Sequence, residues 1–124
     1  MAKTPFGVVG LLVCADAYTY DTSSLDALKS YRPNLIVVPW GITAASAQQC
    51  GQDGFDATGY AAKAAAYLRT AYVVGANATG QRQYGRFLPS WYCGTSGFAT
   101  PSGNIGGEMN TQDDIGYFDV PTPK

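Results

Sequence analysis

Three short runs of apolar, largely branched residues set the terms for this chain: Phe6 to Val13, Leu35 to Val38 and Tyr72 to Ala76. Each is shorter than a typical helix, and each has too few polar residues for a strand that faces water on one side. Such runs suit strands covered on both faces, as in a parallel sheet whose crossovers are helices. The intervening sequence supplies those helices. Ser23 or Ser24 can cap a short one in which Leu25 and Leu28 share a face, and Tyr31-Arg32-Pro33 stops it. Asp56 stands where a cap belongs for a longer, alanine-rich helix over Ala57 to Arg69, with Tyr60, Ala64, Tyr67 and Leu68 near one face. Strand, helix and strand therefore form βαβ units, whose crossovers are expected to be right-handed.

The remaining segments read as punctuation and edges. Gly41 to Gly54 is a small, polar loop after a strand end, long enough to favour a functional role. Gln81 to Trp91 is polar and aromatic without a period and is expected to be a surface excursion. Gly94 to Ala99 and Asn104-Ile105, joined by Thr100-Pro101-Ser102-Gly103, form a hairpin. Ile115 to Val120 alternates enough to be a last strand before the Pro121-Thr122-Pro123 tail. With 124 residues, 46% hydrophobic and 14% charged, the chain has the size and composition of one well-buried domain.

Several function classes drop out. The net charge is -1, and four Lys and four Arg are scattered singly, so no basic patch exists for nucleic acid or anionic lipid. The longest apolar stretch, Val8 to Val13, falls far short of the roughly 20 residues of a membrane span. Phe6 to Val13 leads straight into a candidate site and is read as part of the fold rather than as a signal peptide. There is no histidine, and Cys14, Cys50 and Cys93 contain no CxxC pair, so neither a metal site nor a cofactor is implied. The thiols admit two readings: a Cys50–Cys93 disulfide in an oxidising compartment with Cys14 free, or three reduced cysteines in the cytosol. Asn77-Ala78-Thr79 fits a glycosylation acceptor, so both cytoplasmic and secreted locations stay open.

Cys14 closes the first strand. In open α/β sheets, ligands gather outside the carboxyl ends of the strands. A thiolate held there can attack an electrophilic carbon, provided a base or positive charge activates it. Against this stands the plain reading of Cys14 as a small buried hydrophobe.

Further residues along the chain tip the balance. Gly10-Leu11-Leu12-Val13-Cys14-Ala15-Asp16 resembles the nucleophile strand of the nitrilase superfamily of carbon–nitrogen hydrolases. Leu35-Ile36-Val37-Val38-Pro39-Trp40 is similar to that family's next strand, and Ala61 to Asn77 to its helix and the strand ending in Asn. Gly94-Thr95-Ser96-Gly97, followed by Phe98 to Gly103, resembles its Gly-x-Ser strand and Pro-x-Gly hairpin.

The resemblance implies an α/β fold that is half of a nitrilase-type αββα sandwich, a mixed sheet with helices on one face, spanning 1–124 as the C-terminal half. It implies Cys14 as nucleophile, the backbone N–H of Ala15 as an oxyanion donor, and Trp40 and Tyr18 lining the substrate pocket; Asp16, which can hydrogen-bond the nearby loop backbone, is expected to order the turn rather than to act in catalysis. The family's general-base Glu and its Lys lie upstream of the Cys. Only thirteen residues precede Cys14 here, with no Glu and no second strand expected among them, and Lys3 is too close to match. Glu108, the only glutamate, is expected in a solvated turn after the hairpin. The expectation is therefore an amide- or nitrile-cleaving thiol hydrolase that needs a second polypeptide or a missing segment, in a homo- or hetero-oligomer. A non-catalytic assembly module is the alternative, its uncovered sheet face driving association.

Overall fold

The computed structural model describes every residue except Tyr84, Phe87, Leu88 and Lys124. The three apolar runs become strands of one mixed sheet. In chain order the main elements are β1 (Ala2–Thr4), β2 (Gly7–Leu11), α1 (Ser23–Lys29), β3 (Leu35–Trp40) and β4 (Thr43–Ala44). They continue with α2 (Ala57–Leu68), β5 (Tyr72–Asn77), β6 (Thr79–Arg82), β7 (Ser90–Cys93), β8 (Gly97–Ala99) and β9 (Ile105–Glu108). The large sheet has the order β1-β2-β3-β5-β8-β9, with β2, β3 and β5 parallel. Both crossovers step the same way along the sheet, so two crossovers of one hand leave α1 and α2 on one face.

That inner face holds the core. Ile36, Val38 and Val73 are fully buried beneath the helices, each removal from water contributing about 1.5–3 kcal/mol. The α2 face against them is Ala57, Ala61, Ala64, Ala65 and Leu68, mostly small side chains that let the helix lie close to the sheet. Leu25 on α1 is fully buried, and Leu28 reaches toward Gly10 on β2. Tyr67 links the two helices by donating a 2.5 Å hydrogen bond to Asp26. Lys29 lies 3.8 Å from the centroid of the Tyr67 ring, its ammonium over the aromatic face.

The outer face is different. Registered neighbours place Leu11, Val37, Val74 and Phe98 in one row across four strands, continued by Gly107 on the fifth. Leu11 is 63% exposed and Val13 56%. Strands whose composition suits burial on both sides are thus covered by helices on one side only. Over part of the outer face lies the segment following β9, where Phe118 stacks on Phe98 with ring centroids 3.8 Å apart.

Four expectations are corrected. The residues before Cys14 do contain a second strand, since β1 pairs antiparallel with β2 through Ala2–Val9, Lys3–Val8 and Thr4–Gly7. The polar composition of Ala2–Thr4 hid it, as an edge strand needs no apolar run. The segment Gln81 to Trp91 is not a simple excursion, because β6 and β7 pair and β4 joins them in a small antiparallel sheet. Backbone pairing satisfies a polar stretch that has no apolar period to announce it; Tyr84, Phe87 and Leu88 of this stretch lie outside the described residues. Ile115 to Val120 is not a strand, since it lays the Phe118 ring on the sheet face instead of pairing its backbone with a sheet edge. Glu108 closes β9 rather than sitting in a turn.

Candidate active site at the carboxyl end of the sheet

The carboxyl ends of β2, β3 and β5 open at one rim of the sheet. Past β2 the ladder runs one step further, with the Leu12 N–H donating to the Val37 carbonyl at 3.1 Å. Val13 is still extended, and then the backbone turns abruptly. Cys14 has φ +46°, a left-handed conformation that a side chain rarely accepts, and it begins a short 3-10 helix, Cys14–Ala17. Such strain costs on the order of 1–3 kcal/mol and persists only where surrounding contacts enforce it. Here they do. The Val13 N–H donates to the Asp16 carboxylate at 3.2 Å, the Asp16 N–H to the Val13 carbonyl at 3.0 Å, and the Tyr18 N–H to the Ala15 carbonyl at 3.0 Å. Ala17 is fully buried and pins the turn to the core.

The result is a half-buried, free thiol held out at the strand end. Its side chain meets the Tyr18 hydroxyl, 4.0 Å from Sγ. Burial first, and the adjacent Cys14 second, push the Tyr18 phenol up to about 12, so it stays protonated at neutral pH. The Tyr18 ring stacks on Tyr60, at 4.3 Å, and on Trp40, at 6.2 Å, and these two rings are 6.1 Å from one another, so the three close a triangle. Tyr20 donates to the Tyr60 hydroxyl at 2.6 Å, and Tyr60 passes the chain on to the Gly54 carbonyl at 3.1 Å. Three of the residues singled out from sequence, Cys14, Tyr18 and Trp40, are therefore neighbours. Trp40, however, faces inward and is only 7% exposed, forming the floor beneath this cluster.

Two groups escaped the sequence reading. The Asn77 side chain, at the end of β5, clamps the β3–β4 connection: the Ile42 N–H donates to its Oδ1 and its Nδ2 donates to the Ile42 carbonyl, both at 3.1 Å. Ser96 accepts from the Asn77 N–H at 2.8 Å. An Asn that ends an apolar strand is the one signal that could have marked this clamp, and here its amide is already engaged. The loop beyond the clamp is fastened by a Cys50–Cys93 disulfide, which leaves Cys14 as the free thiol among the described residues.

Glu108 closes β9, and Cys14 follows β2, four positions away in the sheet and about 19 Å at the usual strand spacing, so Glu108 is not the base for Cys14. Its own environment is unusual. Desolvation first, and then the neighbouring Asp56 carboxylate, raise the Glu108 carboxyl to about 7. Because the folded value exceeds the unfolded one, the stability this group contributes is present below about pH 4.5 and is lost as pH rises toward 7. Thermal unfolding across that window should show Glu108→Gln with a flatter pH dependence than the parent, and higher relative stability at pH 8. Parallel curves would rule out this coupling.

Among the described residues no three His, Cys, Asp or Glu side chains converge on a possible metal position, and no helix is long and apolar enough to cross a membrane.

Comparison with solved structures brings this arrangement into focus. A carbon–nitrogen hydrolase from Helicobacter pylori G27 superposes with a TM-score of 0.74 over 90% of this chain, at 14% identity. The chain carries part of the carbon–nitrogen hydrolase fold. A glutamine-dependent NAD+ synthetase from Acinetobacter baumannii, in complex with adenosine diphosphate, matches with a TM-score of 0.65 over 86% of this chain, at 16% identity. The chain spans 39% of the first protein and 18% of the second. No family model and no curated protein sequence matches. The likeness is thus one of hydrolase fold, carried by the mixed sheet and its two helices, and it covers a minor part of each of these larger chains.

Proposed function

We infer that the chain is the C-terminal half of a thiol-dependent hydrolase acting on a non-peptide carbon–nitrogen bond, an amide or a nitrile. The observation that carries this reading is the Cys14 turn: a free thiol at the carboxyl end of a central parallel strand, in a left-handed conformation held by Asp16, on a carbon–nitrogen hydrolase fold.

In the proposed reaction Cys14 Sγ attacks the carbonyl carbon of an amide. The thiol proton passes to a general base and from it to the leaving nitrogen, the C–N bond breaks, and a thioester remains. Water then attacks that thioester, releasing the acid and restoring the thiol. The Ala15 N–H stands in the first turn of the short helix, where backbone donors have no intrahelical partner, and is assigned to the developing oxyanion. Tyr18 lines the substrate side, Trp40 supports it from beneath, and Asp16 orders the turn.

Base and electrophilic lysine are assigned to a second polypeptide or to a segment not included in these 124 residues. The outer face supports that assignment, because the row Leu11, Val37, Val74, Phe98 is the surface a further sheet layer would cover. The same row favours a second reading, a non-catalytic half-fold that serves in assembly. An electrophilic amide or nitrile probe distinguishes them: label on Cys14 in the native assembly supports the hydrolase, and its absence in a folded assembly supports the module.

Asp16→Ala gives a finer check. Its carboxylate is exposed and holds only local backbone, so stability should change by about 1 kcal/mol or less. Labelling of Cys14 should nevertheless slow by roughly ten-fold as the turn loosens, since loss of a positioning contact of ~1.4 kcal/mol corresponds to that factor. An unchanged labelling rate would remove Asp16 from the site.

A further inference from the structure

The segment after β9 does something the hydrolase reading leaves unexplained. It leaves the sheet at Asn110, whose carbonyl accepts from the Thr95 N–H at 3.1 Å. It is tied once more near its start, where Thr79 donates to Asp113. From there it crosses the outer face, and Pro123 ends close to Gly7, at the far end of β2. Along the way Ile115, Tyr117 and Phe118 form one wall of a cavity of about 560 Å³ whose other wall is the sheet itself, through Val37, Val74 and Phe98. The Phe118 ring lies nearly parallel to Phe98, at 8°, and Phe98 in turn lies against Gly106 and Gly107, where any side chain would meet its ring.

The coverage is partial. Leu11 and Val13 remain open on the same face, and Tyr117 is 91% exposed although it belongs to the covering segment. No strand pairing holds residues 111–120, so most of their attachment is side-chain packing, with Phe118 at its centre. Packed sheets lie about 10 Å apart with interdigitating side chains. A ring stacked 3.8 Å from Phe98 occupies that space, so a second sheet and this segment cannot share it.

We propose that residues 111–120 are a displaceable strap over the outer sheet face, holding the place of the sheet layer that the missing part of the hydrolase fold supplies, so that strap and layer exclude one another. The proposal rests on the reading that such a layer exists, and it adds a device: assembly requires the strap to leave, while the lone chain keeps the Val74 and Phe98 end of its apolar row partly shielded. The occupant is an apolar-faced β layer rather than a small ligand, because the apolar row runs across β2, β3, β5 and β8 and its β2 end, with Leu11 and Val13 exposed, lies outside the cavity. In the 39% coverage of the Helicobacter pylori hydrolase there is ample remaining chain to provide one.

Two measurements test it. In the lone chain, Phe118→Ala should shift the strap toward the open form by roughly ten-fold, the factor that loss of a partly covered ring stacked on Phe98 implies. Binding of the apolar dye 1-anilinonaphthalene-8-sulfonate should rise accordingly, while Phe118→Leu stays near the parent and circular dichroism shows both variants folded. Unchanged dye binding in folded Phe118→Ala overturns the strap. The second measurement is chymotrypsin cleavage at Tyr117 and Phe118, comparing the lone chain with material that native mass spectrometry shows to contain the additional layer. Faster cleavage in the assembly is the expected result, and equal protection in both states overturns the exclusion. Should native mass spectrometry find no additional layer in any preparation, the partner-dependent hydrolase reading fails, and the dye measurement still decides the strap.

Discussion

Cys14→Ser is expected to abolish covalent labelling by an electrophilic amide or nitrile probe and to lower turnover in the assembled protein by about 10⁴-fold or more. The size follows from chemistry. A hydroxyl has nearly the shape of the thiol but is a far weaker nucleophile without a base tuned to it. Structure predicts little collateral damage, because Cys14 is half-buried and its side chain makes a single, long hydrogen-bonding contact among the described residues, to the Tyr18 hydroxyl at 4.0 Å. Unfolding free energy should therefore move by about 1 kcal/mol or less. Retention of more than a tenth of the turnover in Cys14→Ser would remove the thiol from the reaction, and labelling at another residue would relocate the site.

Gly75→Ala should be strongly destabilising, at about 3 kcal/mol or more. Gly75 sits on β5 opposite Val38, facing the helices, and the Nε1 and Cδ1 edge of the Trp40 indole occupies the space beside it. A methyl group there would overlap the indole nitrogen, come within 2.5 Å of Trp40 Cδ1, and reach 2.8 Å from the Val38 carbonyl oxygen. The indole cannot swing aside, because Tyr18 and Tyr60 pack against it and the core closes around it. Chemical denaturation measures the loss directly. Combining Gly75→Ala with Trp40→Leu should recover part of it, since that exchange removes the ring but leaves the backbone contact. Additive losses in the double variant would show that the indole is not what the methyl strikes. Displacing Trp40 should also disturb Tyr18 above it, so Cys14 labelling in the folded fraction is expected to slow.

How far the sequence reaches can be judged from particular residues. Leu35 to Val38 and Tyr72 to Ala76 announce their strands because burial leaves them no polar residues, and Ala57 to Leu68 announces its helix through alanine content and spacing. The turn Thr100-Pro101-Ser102-Gly103 places the hairpin, and the structure closes it with the Gly103 N–H donating to the Thr100 carbonyl at 2.8 Å. Elements β1, β4, β6 and β7 were not legible, since each is short and polar or mixed, and owes its existence to a partner strand distant in sequence. The alternation in Ile115 to Val120 suggested a strand, yet period-two spacing serves equally well to drop Phe118 onto an open sheet face.

At the candidate site the sequence settled local chemistry: a thiol at a strand end, with a carboxylate two residues on that can reach back to the Val13 amide. Contacts of that kind span a few residues and depend on local geometry alone. Only the tertiary structure could decide which distant groups meet there. Tyr18 meets Trp40 and Tyr60, Asn77 meets Ile42, and Cys50 meets Cys93, pairs separated by many residues and joined by strand order and helix packing. It likewise decided that the two faces of the sheet differ. The apolar runs carry the same side-chain chemistry on alternating residues, so nothing in them distinguishes the face under α1 and α2 from the one that the strap only partly covers. That distinction arises where the crossover helices fall, and it leaves Leu11 and Val13 facing outward, exposed, although their runs are as apolar as the buried face.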